Sequence, residues 1–97
     1  MKKVHFIAIG GRAMHSLAIA LKKGGYEVTG SDCEIYEPSM THLMQAGLLP
    51  AELGWFPEKI TDNLDTVILG MHAAKDNPEL LEAQKKEIKI VSYSEFV

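Results

Sequence analysis

The stretch Val4-His5-Phe6-Ile7-Ala8-Ile9-Gly10-Gly11-Arg12-Ala13-Met14 decides the fold class of this chain. An apolar run of strand character leads into paired glycines, and Met14, Leu17, Ala18 and Leu21 then recur at helical spacing until Gly24-Gly25 stops the pattern. A helix over residues 12–23 is expected. Tyr26-Glu27-Val28-Thr29-Gly30 alternates as a second strand and runs into Ser31-Asp32. Strand, glycine loop, helix, strand and terminal acid make a nucleotide-binding βαβ unit. Glycines between a strand and a helix N-terminus let the backbone approach a diphosphate, whose charge is favoured by free N–H groups and the helix dipole. Asp32, about 20 residues past the glycines, stands where an acid meets ribose hydroxyls.

The glycine spacing departs from that of dinucleotide folds. Where those have Gly-x-Gly-x-x-Gly, this chain has Ala8-x-Gly10-x-x-Ala13. Ala13 suits a position that needs only a small residue for helix–strand packing, whereas the methyl of Ala8 narrows the tight turn. An NAD-binding domain of a dehydrogenase or regulatory protein is therefore the alternative and not the first reading.

Working outward, Pro38-Ser39-Met40-Thr41-His42-Leu43-Met44-Gln45-Ala46-Gly47 has proline at a helix start and glycine at its end. Residues 48–56, between Pro50 and Pro57, allow a short third strand or an extended loop. Asp65-Thr66-Val67-Ile68-Leu69-Gly70 reads as a buried strand, followed by the loop Met71-His72-Ala73-Ala74-Lys75-Asp76. Asn77-Pro78-Glu79 starts the next helix, with Asn77 as N-cap, and Ile88-Lys89-Ile90-Val91 is the last strand. Ser92-Tyr93-Ser94-Glu95-Phe96-Val97 begins an element that a longer polypeptide would continue. Strands alternating with helices predict a Rossmann-like, three-layer α/β domain with a parallel sheet of about five strands. Its ligand crevice lies at the carboxyl ends of the strands, where the loops at 10–15, 31–36 and 71–77 converge.

Composition sets the remaining bounds. The 97 residues fit one domain, and 46% hydrophobic with 24% charged residues is ordinary for a soluble one. No apolar run approaches the roughly 20 residues of a membrane helix, and Met1-Lys2-Lys3 leads into a strand and not into a targeting segment. A net charge of −3 gives no general attraction for nucleic acid. Cys33 has no second cysteine to pair with, which points to a reducing cytoplasm. With His5, His15, His42 and His72 it lacks metal-ligand spacing, so no metal site is expected.

With the three loops in view, the chain resembles the N-terminal domain of the Mur ligases, ATP-dependent enzymes that add amino acids or peptides to UDP-N-acetylmuramate in bacterial cell-wall synthesis. The resemblance covers the whole chain. It rests on residues 5–14, on Gly25-Tyr26-Glu27-Val28-Thr29-Gly30-Ser31-Asp32, and on Ala73 with Asp76-Asn77-Pro78-Glu79. Within the family, Ile35-Tyr36-Glu37-Pro38-Ser39-Met40 followed by Thr41-His42-Leu43 is closer to the recycling branch, which attaches a tripeptide, than to the branch that adds L-alanine. The resemblance implies that this domain, residues 1–97, holds the UDP part of the substrate, while ATP, Mg and the incoming amino acid or muropeptide belong to central and C-terminal domains outside this chain. Amide formation would proceed there through an acyl phosphate made from ATP. The family's loop usually has glycine at Ala8 and Ala13 and a small residue at Arg12. After the fourth strand it has Ser or Asn where this chain has His72.

The implied substrate-binding residues are Gly10, Gly11, Arg12, Ala13, Met14, His15, Ser31, Asp32, His72 and Ala73. Each has a plainer reading. The glycines could form only a tight turn, Asp32 could cap a turn with Ser31, and Arg12 could be a solvated surface cation. His15 reads as partly exposed and structural, His5 as a satisfied core histidine, and His42 as a surface residue. Met14, Met40, Met44 and Met71 read as core filler. Trp55-Phe56 reads as edge packing, with stacking on uracil as the other possibility. No Gly-x-x-x-x-Gly-Lys-Ser/Thr occurs and no catalytic base with a partner is legible, so this chain is expected to bind and not to catalyse.

Overall fold

A computed structural model describes residues 2–70 and 73–96. The elements run β1 (Lys3–Ile7), α1 (Arg12–Lys23), β2 (Glu27–Ser31), α2 (Ser39–Ala46), a 3-10 turn (Pro57–Lys59), β3 (Thr66–Leu69), α3 (Pro78–Lys85), β4 (Ile90–Ser92) and α4 (Tyr93–Phe96). The strands form a parallel sheet in the order β2-β1-β3-β4.

The parallel α/β reading holds, with four strands among the described residues in place of about five. Residues 48–56, the expected short strand or loop, contribute one isolated antiparallel bridge from Gly54 to Asp32. Pro50 and Pro57 explain this, since each lacks an N–H to donate to a ladder. β2 therefore stays an edge strand.

Alternation along β1 sorts side chains into two cores, one on each face of the sheet. Val4 and Phe6 join Met14, Ala18, Leu43 and Ile68 under α1 and α2. Ile7 joins Val67, Ile60, Leu80 and Ala83 under α3 and the 3-10 turn. That gives the three layers. The helix ends follow the expected chemistry: Gly47 takes the left-handed conformation (φ 75°) after α2, and Asn77 Oδ1 accepts the amides of Glu79 (2.9 Å) and Leu80 (3.2 Å) to cap α3. Of the methionines read as core filler, Met14 is buried, but Met40 and Met44 lie on the exposed face of α2. Met71 falls outside the described residues.

Candidate nucleotide-binding site

β1 ends at Ile7, and Ala8 after it adopts a left-handed backbone (φ 73°) despite its methyl. This conformation costs about 1–2 kcal/mol for a residue with a side chain. Two features offset it. The amides of Ala8 and Ile9 both donate to the Ser31 carbonyl, at 2.9 and 3.1 Å. Opposite, Gly70 leaves room for the Ala8 methyl, since a Cβ at Gly70 would stand 3.0 Å from it. The tight turn inferred from Ala8 is real, and the chain accommodates it through Gly70.

Gly10 approaches β2 closely. Its amide donates to Asp32 Oδ2 at 2.9 Å, and a Cβ at Gly10 would lie 2.9 Å from both that oxygen and Ile35 Cγ1. Glycine is required here by space. Gly11 is different: its φ of −60° and ψ of 150° are open to any residue, and it serves as N-cap of α1 without a side-chain hydrogen bond.

The amides of Gly10 and Gly11 are already engaged, the first by Asp32 and the second by the Ala8 carbonyl at 3.3 Å. The expectation that N–H groups from Gly10 onward face a phosphate therefore narrows to Arg12, Ala13 and Met14. Residues of a first helical turn have no carbonyl four positions back within the helix. The His15 amide is the first to find one, at the Gly11 carbonyl (2.8 Å). No acidic residue lies in this first turn, and the Asp32 carboxylate beside it is taken up by the Gly10 amide, one residue before the cap. Arg12 and Ala13 are exposed, and Met14 is buried with its side chain in the core.

The Asp32 side chain turns inward at the end of β2. It is 9% exposed, and its oxygens accept the amides of Gly10 and, at 3.4 Å, Glu34. Its carbonyl accepts the Gly54 amide at 2.8 Å. The side chain thus shapes the loop. Ser31 lies fully buried beneath the same loop, where its carbonyl does the holding.

His15 is buried, against the expectation of partial exposure. Its Nδ1 lies 3.0 Å from the Gly11 carbonyl and 3.0 Å from Ser39 Oγ, and its Nε2 lies 3.2 Å from His42 Nδ1. The tautomer with the proton on Nδ1 fits all three, donating to oxygen there and accepting from His42 at Nε2. His15 ties the α1 cap to α2 and has no free nitrogen for a ligand. His42 is exposed, as expected for a surface residue. Ala73 is half-buried against the second core, and His72 lies outside the described residues.

A buried polar pair escaped the sequence reading of the site. His5 and Glu79 are both fully buried and meet at 2.7 Å between Nε2 and Oε1. His5 Nδ1 contacts Thr29 Oγ1 at 2.7 Å, and Glu79 Oε2 accepts the Phe56 amide at 2.8 Å. Burial disfavours the Glu79 charge, but the bonds from His5 and Phe56 outweigh it and hold the carboxyl below its ordinary value. The Ser31 hydroxyl also favours that charge, although it forms no hydrogen bond of regular geometry. The signal for His5 was present, since an imidazole alternating into an apolar strand needs a partner. Glu79 was hidden as an ordinary first-turn acid.

The described residues contain no group of three or more His, Cys, Asp or Glu arranged to hold a metal. A groove of about 330 Å³ runs between residues 28–30 of β2, residues 47–50 and Lys59, away from the α1 N-terminus.

Comparisons with known proteins agree with this arrangement. The family described as "Mur ligase family, catalytic domain" matches residues 3–97. UDP-N-acetylmuramate-L-alanine ligases of Clostridium beijerinckii and Clostridium tetani are 38% and 39% identical over 96 and 97 residues, covering 99% and 100% of the chain. The chain spans only 20% and 21% of those relatives' length. Among solved structures, a UDP-N-acetylmuramate:L-alanyl-gamma-D-glutamyl-meso-diaminopimelate ligase from Neisseria meningitides superposes with a TM-score of 0.81 at 28% identity, covering 95% of this chain and 28% of that one. A UDP-N-acetylmuramate-alanine ligase from Thermotoga maritima gives 0.81 at 27% identity, covering 99% and 22%. The glycine loop, the α1 terminus and the match across residues 3–97 together place the chain in the Mur ligase family.

Proposed function

We propose that this chain is the N-terminal domain of an ATP-dependent amide-forming ligase of bacterial peptidoglycan biosynthesis or recycling, and that it binds the UDP moiety of UDP-N-acetylmuramate. The observation that bears most weight is the N-terminus of α1, with the Arg12–Met14 amides lacking helical acceptors, a cap without a side chain, and no acid in the first turn. Such a terminus favours an anion through both its N–H groups and its dipole. Gly10 and Gly11 let a diphosphate approach, and Arg12 supplies a mobile cation able to form paired bonds to phosphate oxygens. Asp32 fixes the loop through the Gly10 amide and stands at a strand end, where an acid meets ribose hydroxyls.

ATP supplies phosphoryl activation of the substrate carboxylate when bound to the longer enzyme, with Mg. No residue of this chain is assigned to either, because the sequence contains no phosphate-binding loop of the Gly-x-x-x-x-Gly-Lys-Ser/Thr type. The incoming L-alanine or tripeptide likewise belongs to other domains. Relatives of both kinds superpose on this chain equally well, and the resemblance of residues 35–43 to the tripeptide-adding branch is what supports that branch over the L-alanine-adding one. No helix of the described residues is long and apolar enough to cross a membrane. A cytoplasmic setting is part of the proposed ligase reading.

Calorimetric titration tests the reading against its NAD-binding alternative. UDP is expected to bind, weakly, because the sugar's further contacts lie in other domains, while NAD does not bind. Tighter binding of NAD than of UDP would overturn the proposal.

A further inference from the structure

A line of hydrogen bonds runs through the second core and returns to the strand from which it starts. Thr29 on β2 contacts His5 on β1, His5 contacts Glu79 on α3, and Glu79 accepts the Phe56 amide. Two residues back, the Gly54 amide donates to the Asp32 carbonyl, and Asp32 in turn receives the Gly10 amide. The tautomer of His5 with its proton on Nε2 satisfies every partner: it donates to Glu79 and accepts from the Thr29 hydroxyl. The segment around Phe56 has a second anchor, because Lys59 Nζ donates to the Gly30 carbonyl at 3.1 Å and stands 5.2 Å from the centre of the Phe56 ring.

A buried hydrogen-bonded carboxylate is a poor device for stability alone, since apolar side chains of similar volume commonly do as well or better. What Glu79 adds is direction. Its two oxygens face different elements, one toward the central strand and one toward a segment that forms no strand of its own. Without it, residues 54–56 would keep, among the described residues, the Gly54–Asp32 bridge, the Lys59 bond to Gly30 and the packing of Trp55 on the second core.

We propose that Glu79 is a positioning residue for the nucleotide site, acting through Phe56, Gly54 and Asp32 to hold the Gly10 turn in the shape that admits a diphosphate. This rests on the UDP-binding reading above. His5 and Thr29 serve it by fixing the Glu79 carboxylate from the other side.

The test uses amide hydrogen exchange and UDP titration on the parent chain and on Glu79→Leu, Glu79→Gln and Thr29→Val. Glu79→Leu is expected to stay folded, lose exchange protection at Phe56, Gly54 and Gly10, and bind UDP about tenfold more weakly, the scale of one lost bond to a charged group. Glu79→Gln should rescue both. Its carboxamide oxygen can accept from Phe56, and its NH2 can donate to His5 Nε2 once the His5 proton moves to Nδ1 and is donated to Thr29 Oγ1. A merely structural role would lower global stability without the selective change at Gly54 and Gly10. If Glu79→Leu does not fold, Thr29→Val, at an exposed position of the edge strand, decides on the same amides, with a smaller loss expected. Unchanged protection at Gly54 and Gly10 in a folded variant would overturn the positioning role. Loss of protection in a chain whose parent does not bind UDP would uphold the linkage while sinking the UDP reading, so the two failures are distinguishable.

Discussion

The amide of Gly10 donates to the Asp32 carboxylate at 2.9 Å, across a gap that would leave a Gly10 Cβ the same 2.9 Å from Asp32 Oδ2. The first turn of the glycine loop and the acid at the end of β2 are thus one structural unit. The two glycines of the loop consequently differ in what they tolerate.

Gly10→Ala should displace either Asp32 or Ile35 and destabilise the fold by about 1–3 kcal/mol, through overpacking and the weakened amide–carboxylate bond. Gly11→Ala makes ordinary contacts with Met14 at 3.4 Å and the Ala8 carbonyl at 3.7 Å and has an unstrained backbone, so it should stay within about 1 kcal/mol of the parent. Urea denaturation of both variants checks this. Equal losses would mean that the Gly10–Asp32 contact does not restrict the loop.

Asp32→Ala should now affect stability as well as ligand. Removing the carboxylate leaves the part-buried Gly10 amide without its acceptor, a loss of about 1–3 kcal/mol, and UDP binding should weaken because the loop is no longer held. Thermal denaturation paired with titration measures both. A variant as stable as the parent would show that the Asp32 carboxylate does not hold the Gly10 turn.

Glu79 makes acid stability a second readout of the buried network. A carboxyl held below its ordinary value in the folded state contributes stability that is fully present above the unfolded-state value of about 4.3 and is lost as pH falls below it. The parent should therefore lose stability as pH falls below about 4.3 more steeply than Glu79→Gln, which has no proton to gain there. Urea midpoints across that range decide it, and parallel slopes would show that Glu79 is not depressed by its partners.

Much of the fold was legible because each boundary had its own local cause. Gly24 and Gly47 end α1 and α2, Asn77 caps α3, and the apolar runs of β1 and β3 read as buried parallel strands. The expected bounds of α1 match the structure residue for residue. Residues 48–56 were ambiguous because their fate depends on the Gly54–Asp32 and Phe56–Glu79 contacts, which join positions more than twenty residues apart. The same limit explains the site. Glycine spacing marks a loop, but which amides are free depends on Asp32 turning inward to take Gly10, and His15 looked exposed because nothing local reveals Ser39 and His42 beside it. Met40 and Met44 show the converse, since methionine type alone says little about which face of a short helix is covered.

The central claim is that the N-terminus of α1 receives the diphosphate, and amide chemical-shift mapping during a UDP titration tests it most directly. The account predicts that the Arg12, Ala13 and Met14 amides move together and saturate with a single affinity, with smaller shifts at Gly10 and Asp32. Shifts confined to residues 28–30 and 47–50, which line the groove beside β2, with the α1 terminus unmoved, would contradict it.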